Sequence, residues 1–374
     1  MGQCGAIVFN DPTLIKGYNV TPLSFRVISV IGAGAWGTAL AHLLATKGLN
    51  IRLWAYEPEV VESIQTQREN TWYLPDVVLP NSIQAMSSLS DCLHRTDLIV
   101  LAVPSHTMAD MVSKLRPLLK TPLPITIATK GIEESTLQLM SQVVEGQLPA
   151  KWHSWLTVLS GPSFAAEVCR WKPTTILLAG KDFNLVNRLQ QVFLTPQFRV
   201  YAGRDMVGAQ LGGALKNVMA IAAGIVDGLE LGANARAALI TRGLAEMIRL
   251  GREMGADTST FYGLSGLGDL VLTSTGTLSR NYQVGHQLAK GIDRETLTAS
   301  TRTIAEGINT SHAAMALATR HHVEMPIVQG VYRVLFEGNN PRHIVSDLMS
   351  RTAKSETERT GSDGMHTFTP FGHS

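Results

Sequence analysis

Cysteine is scarce in this chain. Its 374 residues include three, Cys4, Cys92 and Cys169, widely spaced and without a CxxC pair. So dispersed an odd set argues against a disulfide framework or a structural zinc site, and reads as reduced thiols in a cytoplasmic protein. No charge of one sign prevails: 32 basic and 30 acidic residues leave a net +2, too even a balance for a nucleic-acid or membrane-surface binder. The first residues show no basic stretch running into a continuous apolar one, so no signal peptide is expected. Met1-Gly2-Gln3-Cys4 hints at acylation, but Ala6 stands where the pattern wants Ser or Thr. The most apolar segment, Val218 to Val226, is about half the length that spans a bilayer. Internal repeats are absent.

What the chain does have is apolar residues, 45% of the total, and a length that favours two domains. After a 1–24 stretch without period, expected to be a mobile extension, Phe25 to Ile31 is a short β-branched run typical of a buried strand. A glycine-rich turn follows, then an alanine-rich helical stretch, Thr38 to Lys47, and a second strand, Ile51 to Tyr56. Together they make a βαβ unit. Further strand runs occur at Leu98–Val103, Ile125–Thr129, Thr157–Leu159 and Thr175–Ala179. Strands separated by helical stretches predict a mostly parallel sheet covered on both faces. Beyond Arg204 long helical patterns take over: Val207 to Asp227, Asn234 to Met254, Ile304 to Thr319 and Ile327 to Phe336, with Gly255 placed as a helix C′ glycine. The expected fold is α/β, an N-terminal Rossmann-type parallel-sheet domain over 25–203 and a C-terminal all-α substrate domain over 204–350. The polar 351–374 stretch reads as a disordered tail.

Gly32-Ala33-Gly34-Ala35-Trp36-Gly37 follows a strand and opens a helix, the context that turns a generic GxGxxG into a dinucleotide fingerprint rather than an ordinary tight turn. Gly32 permits the turn, Gly34 the approach of pyrophosphate, Gly37 close helix–sheet packing, and the helix N-terminus receives the phosphates. The end of the second strand, Trp54-Ala55-Tyr56-Glu57-Pro58, leaves the cofactor open. Glu57 stands one place later than the ribose-binding carboxylate is expected, Tyr56 suits stacking on adenine, and Arg52 reads as a surface residue.

Four other segments suggest chemistry. Lys130-Gly131-Ile132-Glu133 directly follows a strand, and ligands of open parallel sheets bind outside the strands' carboxyl ends; a lysine there can reach a carbonyl or phosphate, or simply be solvated. Gly161-Pro162-Ser163-Phe164-Ala165-Ala166-Glu167 places small residues and a hydroxyl after another strand, and equally suits a helix start capped by Ser163. Lys216 interrupts an apolar helix, with Gly212, Gly213 and Ala220 on its face. The glycines weaken the helix by about 1 kcal/mol each; a snorkelling lysine in close helix packing explains them, as does a buried catalytic one whose pKa burial lowers. Finally Gly263-Leu264-Ser265-Gly266-Leu267-Gly268-Asp269, followed by Ser279-Arg280-Asn281, offers a carboxylate to orient Lys216 and an arginine fork for phosphate, or a surface loop with an N-cap at Ser279.

At these residues the chain resembles the NAD(P)-dependent glycerol-3-phosphate dehydrogenase family, bacterial type. The likeness runs from Val27 to Gly338 through an ordered set. It comprises Gly32–Leu40, Asn70-Thr71-Trp72-Tyr73-Leu74-Pro75, Val103-Pro104-Ser105-His106, Thr129–Glu133, Gly161–Val168, Leu215-Lys216-Asn217, Gly266–Leu270, Ser279-Arg280-Asn281, Ala305-Glu306-Gly307 and Glu324-Met325-Pro326-Ile327. The resemblance implies an active site between the two domains and Lys216 as proton donor to a ketone. It implies substrate contacts from Lys130, Gly161, Ser163, Asp269, Ser279, Arg280 and Asn281, and cofactor contacts from Trp36, Tyr56, Lys130, Ala165, Arg280 and Glu306. It implies NAD or NADP, with NADPH slightly favoured, a homodimer, no metal, and a role supplying glycerol 3-phosphate for glycerophospholipid synthesis. The chain departs from the family at Trp36, where a smaller aromatic is common, at Ala128 in place of serine, and at Trp171-Lys172 in place of Gly-Leu. Two other readings are a dehydrogenase of the same plan acting on a carboxylate substrate (a β-hydroxyacid or ketopantoate), and a dinucleotide-sensing module without turnover.

Overall fold

The computed structural model describes residues 25–299, 305–353 and 355–356. The 1–24 extension, Ile304 and the tail from 357 onward lie outside the described residues. One eight-stranded sheet runs in the order β3-β2-β1-β4-β5-β6-β7-β8. Its strands are β1 (Val27–Ile31), β2 (Asn50–Trp54), β3 (Ile83–Met86), β4 (Leu98–Leu101), β5 (Ile125–Ile127), β6 (Leu156–Ser160), β7 (Thr174–Gly180) and β8 (Phe198–Gly203). All neighbours pair in parallel except β6 and β7. The mostly parallel Rossmann-type sheet expected from the sequence is therefore present. Two strands escaped the hydrophobic pattern. β3, Ile83-Gln84-Ala85-Met86, and β8, Phe198 to Gly203, are the two outer strands, and both alternate buried with exposed positions. The central strands β4, β5 and β6 are buried throughout: Leu98, Ile99 and Val100 have no exposed surface.

The order of strands reverses between β1 and β4, which are neighbours though two strands lie between them in sequence. Ligands of open α/β sheets bind at such a switch point, beyond the carboxyl ends of the strands. The turn after β1 lies there, and Ala102, just past β4, abuts it: a Cβ on Gly32 would lie 2.7 Å from the Ala102 carbonyl oxygen.

After β8 the chain turns helical. The Met206–Gly228 helix is long and apolar enough to cross a membrane by length and composition, yet nearly all of it is buried inside the protein. Its apolar reach exceeds the 218–226 stretch that stands out in the sequence, because alanines and glycines extend it. Asp205 caps it, accepting from the Gly208 amide at 2.8 Å. The Gly232–Glu253 helix ends before Gly255, whose φ of +81° is the left-handed conformation expected of a C′ glycine. The Glu306–Arg320 and Pro326–Phe336 helices complete this part of the core.

Close packing here depends on small residues. A Cβ on Gly224 would lie 2.0 Å from the Tyr282 carbonyl oxygen, and one on Gly285 would lie 1.9 Å from that of Ile221. The Met206–Gly228 and Arg280–Ala289 helices thus meet backbone to backbone, which fixes the start of the second relative to Lys216. Gly224→Ala should gain about 1 kcal/mol of helix propensity. It should lose more, because the obstructing atom is backbone and has no rotamer to escape into; overpacking of this kind costs about 1–3 kcal/mol and sometimes more. Urea denaturation should show a lower midpoint, and a midpoint at or above the parent's contradicts the packing described.

Candidate active site

The glycine turn is built for a ligand that approaches backbone. Gly32 has a φ of +112°, unsuited to other residues. A Cβ on Gly37 would lie 1.9 Å from the Gly32 oxygen, so the Ala35–Ala45 helix seats directly on the turn. At Gly34, by contrast, a Cβ would meet nothing within 4 Å: the space faces outward, and the helix begins there without a side-chain cap or an acidic first-turn residue. Free N–H groups and the positive end of the helix dipole suit a pyrophosphate. Trp36 lies in this first turn, with its indole Nε1 buried and no hydrogen-bond partner in the protein. Asn70 braces the turn by donating from Nδ2 to the Ala33 oxygen at 2.7 Å and to Thr38 Oγ1 at 2.8 Å. Tyr56, beyond the end of β2, is 77% exposed. Ala165 opens the short Ala165–Cys169 helix, packed against the core beneath the Ala35–Ala45 helix.

The polar centre forms where the carboxyl ends of β5 and β6 meet the buried helix. Lys130 lies three residues past β5, and its Nζ donates to Asp269 Oδ2 at 2.6 Å and to the Gly161 oxygen at 2.9 Å. Lys216 donates to the other carboxylate oxygen, Oδ1, at 2.9 Å, and to Thr273 Oγ1 at 2.8 Å. The Thr273 hydroxyl in turn donates a hydrogen bond to the Asp269 backbone carbonyl at 2.7 Å. Asp269 is 1% exposed and Lys216 7%. The glycines beside Lys216 make room for this contact. A Cβ on Gly212 would lie 2.4 Å from the Ser265 oxygen, and one on Gly213 2.7 Å from Ser160 Oγ, beside the stem of Lys130.

Burial pulls the Lys216 ammonium down to a pKa of about 8; the Asp269 charge works against that fall and the Lys130 charge adds to it. Burial alone would raise the Asp269 carboxyl, but the Lys130 and Lys216 ammonium groups outweigh it and hold it below the usual carboxylate range. The result is an ionised carboxylate gripping two cations, one of them poised to exchange a proton near neutrality.

The remaining residues singled out in the sequence are placed differently. Ser163 is not a helix cap: Phe164 holds that position, and the Ser163 hydroxyl donates to the Gly161 oxygen at 3.1 Å. Ser279 is the N-cap of the Arg280–Ala289 helix, accepting from the Tyr282 amide at 3.2 Å. Asn281 faces inward, donating to Asn217 Oδ1 at 2.9 Å and accepting from the Gly307 amide at 2.9 Å; it ties three helices together. Arg280 is exposed and forms no hydrogen bond or ion pair among the described residues. Glu306, at the start of its helix, accepts from the Ser105 amide at 3.1 Å and from the Ser105 hydroxyl. Burial raises its pKa despite those bonds. Sequence reasoning missed Thr273 and Ser105. Thr273 had a signal, since it stands four residues after Asp269 on the same helix face. Ser105 had none beyond its place in a quoted motif.

Comparison with known proteins bears on this geometry. The family model for the NAD-dependent glycerol-3-phosphate dehydrogenase N-terminus matches residues 27–186, and that for the C-terminus matches residues 205–346. The chain belongs to the NAD-dependent glycerol-3-phosphate dehydrogenase family. Among the dehydrogenases of this family, the Glycerol-3-phosphate dehydrogenase [NAD(P)+] of Geobacter metallireducens is 50% identical over 329 residues, 88% of this chain and 98% of its own. That of Bacillus mycoides is 45% identical over 331 residues, 88% of this chain and 97% of its own. The crystal structure of glycerol-3-phosphate dehydrogenase from Coxiella burnetii superimposes with a TM-score of 0.83 at 39% identity, covering 87% of this chain and 99% of that one.

Proposed function

We propose that the protein is an NAD(P)-dependent sn-glycerol-3-phosphate dehydrogenase that interconverts dihydroxyacetone phosphate and sn-glycerol 3-phosphate, supplying the latter for glycerophospholipid synthesis. The observation that carries this reading is the Lys130–Asp269–Lys216 cluster at the mouth of a dinucleotide-binding sheet. A bound reduced nicotinamide supplies the hydride. As negative charge grows on the ketone oxygen, Lys216 donates the proton and Lys130 stabilises the charge, while Asp269 keeps both ammonium groups aimed. In the reverse direction neutral Lys216 takes the proton from the hydroxyl. Gly161 and Ser163 line the pocket beside Lys130, and Arg280, which has no hydrogen bond or ion pair among the described residues, is the phosphate anchor. Asn281 and Ser279 serve from behind, one by locking helices and one by capping. Trp36, Tyr56, Ala165 and Glu306 frame the cofactor, with Gly32, Gly34 and Gly37. A carboxylate substrate would leave the Arg280 fork without a phosphate to hold, and a sensing module would have no use for the lysine pair.

Two further parts of the proposal are cytoplasmic residence and a homodimer. Cys92 and Cys169 are both buried free thiols, in keeping with a reducing compartment. The dimer follows from the family resemblance; sedimentation equilibrium at micromolar concentration should give twice the 40.5 kDa chain mass, and a monomer there rejects it.

Lys216 as proton donor has a pH signature. The ammonium form is needed for ketone reduction, so kcat/KM in that direction should fall as pH rises through about 8; for alcohol oxidation it should rise through the same point. Lys216→Ala should lose about 100-fold or more in kcat while still binding dinucleotide. Turnover that persists with its limb near pH 8 assigns the proton to another group.

Arg280→Ala should lower kcat/KM for dihydroxyacetone phosphate by about 10–100-fold, the worth of charge-assisted hydrogen bonds. Unphosphorylated dihydroxyacetone should start as a poor substrate and lose far less. Equal losses for the two ketones would mean that Arg280 does not hold the phosphate.

A further inference from the structure

Lys216 is held as a donor on two sides. Its Nζ donates to Asp269 Oδ1 at 2.9 Å and to Thr273 Oγ1 at 2.8 Å. Thr273 has no proton to return, because its hydroxyl is committed to Asp269: to the backbone carbonyl at 2.7 Å and, more distantly, to Oδ1 at 3.3 Å. Both neighbours of the nitrogen are therefore acceptors. When the ammonium loses a proton, its two remaining N–H bonds stay on those acceptors and the lone pair takes the fourth tetrahedral position. No third hydrogen-bond partner of Lys216 fills that position among the described residues. In the proposed reaction it is the direction from which the ammonium reaches the ketone oxygen. The ketone carbon is one bond, about 1.2 Å, from that oxygen, so a small slide of the substrate puts carbon instead of oxygen on the lone-pair axis.

The surroundings suit a condensation. The charged groups that face the amine are Asp269, from the Asp269–Thr275 helix, and Lys130, from the loop after β5. Burial and a second cation beside it are the two ways a lysine is made nucleophilic near neutrality, and both act on Lys216, whose pKa falls to about 8. Lys130 holds the same carboxylate through Oδ2 at 2.6 Å and is placed to relay protons. The nitrogen lone pair bonds to the ketone carbon as the C=O electron pair moves onto oxygen. The two amine protons pass to that oxygen by way of Lys130, it leaves as water, and a C=N bond remains. Nothing is oxidised or reduced. Once protonated from water, the C=N nitrogen is a cation again, and Asp269 is in place to hold it.

We infer that Lys216 is also a nucleophile, and that without reduced dinucleotide it condenses with the ketone of dihydroxyacetone phosphate to an imine, a reversible adduct that blocks turnover. The inference rests on the substrate assigned in the proposed function. The test incubates the full chain with dihydroxyacetone phosphate and no nucleotide, at the pH of about 8 where ammonium and amine coexist. Cyanoborohydride then reduces the C=N bond to a stable secondary amine, which intact mass and peptide mapping locate. A single adduct should map to Lys216, and ketone reduction should be lost in proportion to it. Glycerol 3-phosphate, which has no carbonyl, should give no adduct and should protect Lys216 from the ketone. Thr273→Val removes the second acceptor and lets the amine turn; labelling should slow about tenfold, because the lone pair is no longer aimed, and Thr273→Ser should restore it. A label on Lys130 or another lysine with Lys216 unmodified overturns the inference, and so does a Thr273→Val variant labelled as fast as the parent. No label on a protein that reduces dihydroxyacetone phosphate also overturns it and leaves the proposed function standing. A label at Lys216 without turnover upholds the inference and rejects the reaction assigned above. No label and no turnover reject both.

Discussion

One buried carboxylate holds the two main regions of this protein in register. Asp269 receives Lys130 from beyond the carboxyl end of β5 and Lys216 from the middle of an apolar helix, each through its own oxygen. Transfer of an ion from water into a protein interior costs several kcal/mol even after relaxation. Neither lysine nor the carboxylate would remain charged there alone. Together they leave one net positive charge at the mouth of the site, held by geometry that permits little rearrangement. The mutual dependence explains why the Lys216 pKa settles near 8. Burial and the second ammonium drive it down, and the carboxylate stops the fall before the group becomes a permanently neutral amine.

Small residues make that arrangement sterically possible. The Met206–Gly228 helix packs against the short π-helical turn Leu264–Gly268 at Ser265, the end of β6 and the Arg280–Ala289 helix through glycine positions that exclude a methyl group. The lost helix propensity is recovered through burial, since nearly every residue of the helix is shielded from water. A helix that would pass for a membrane span by composition is instead the axis of the core. The same close contacts bring Arg280 and Asn281 to the first turn of their helix, where Asn281 is used for cohesion and Arg280 remains open to solvent.

The site has two halves made of different material. The dinucleotide half is largely backbone: a glycine turn, a bare helix N-terminus and a braced loop, all within residues 28–75. The polar half gathers groups from distant parts of the chain: the side chains of Lys130, Lys216 and Asp269 and the Gly161 carbonyl.

The local half was the more legible. Gly32, Gly34 and Gly37 announce their roles because a β-branched run, a glycine turn and an alanine-rich helix adjoin one another, and short-range sterics dictate the turn. The parallel sheet could be read from its interior strands, whose burial on both faces leaves continuous apolar runs. The outer strands β3 and β8 could not, because a half-exposed edge carries polar residues and resembles a loop. The sequence by itself determined the α/β class, the dinucleotide turn and the oddity of a lysine among small apolar residues, since each follows from contacts within a few residues. Only the tertiary structure decided that Lys130 and Lys216 share a carboxylate, that Thr273 joins them, and that Asn281 turns inward while Arg280 does not. Those outcomes depend on distances between residues far apart in the chain, and the packing of the helices against the sheet sets them.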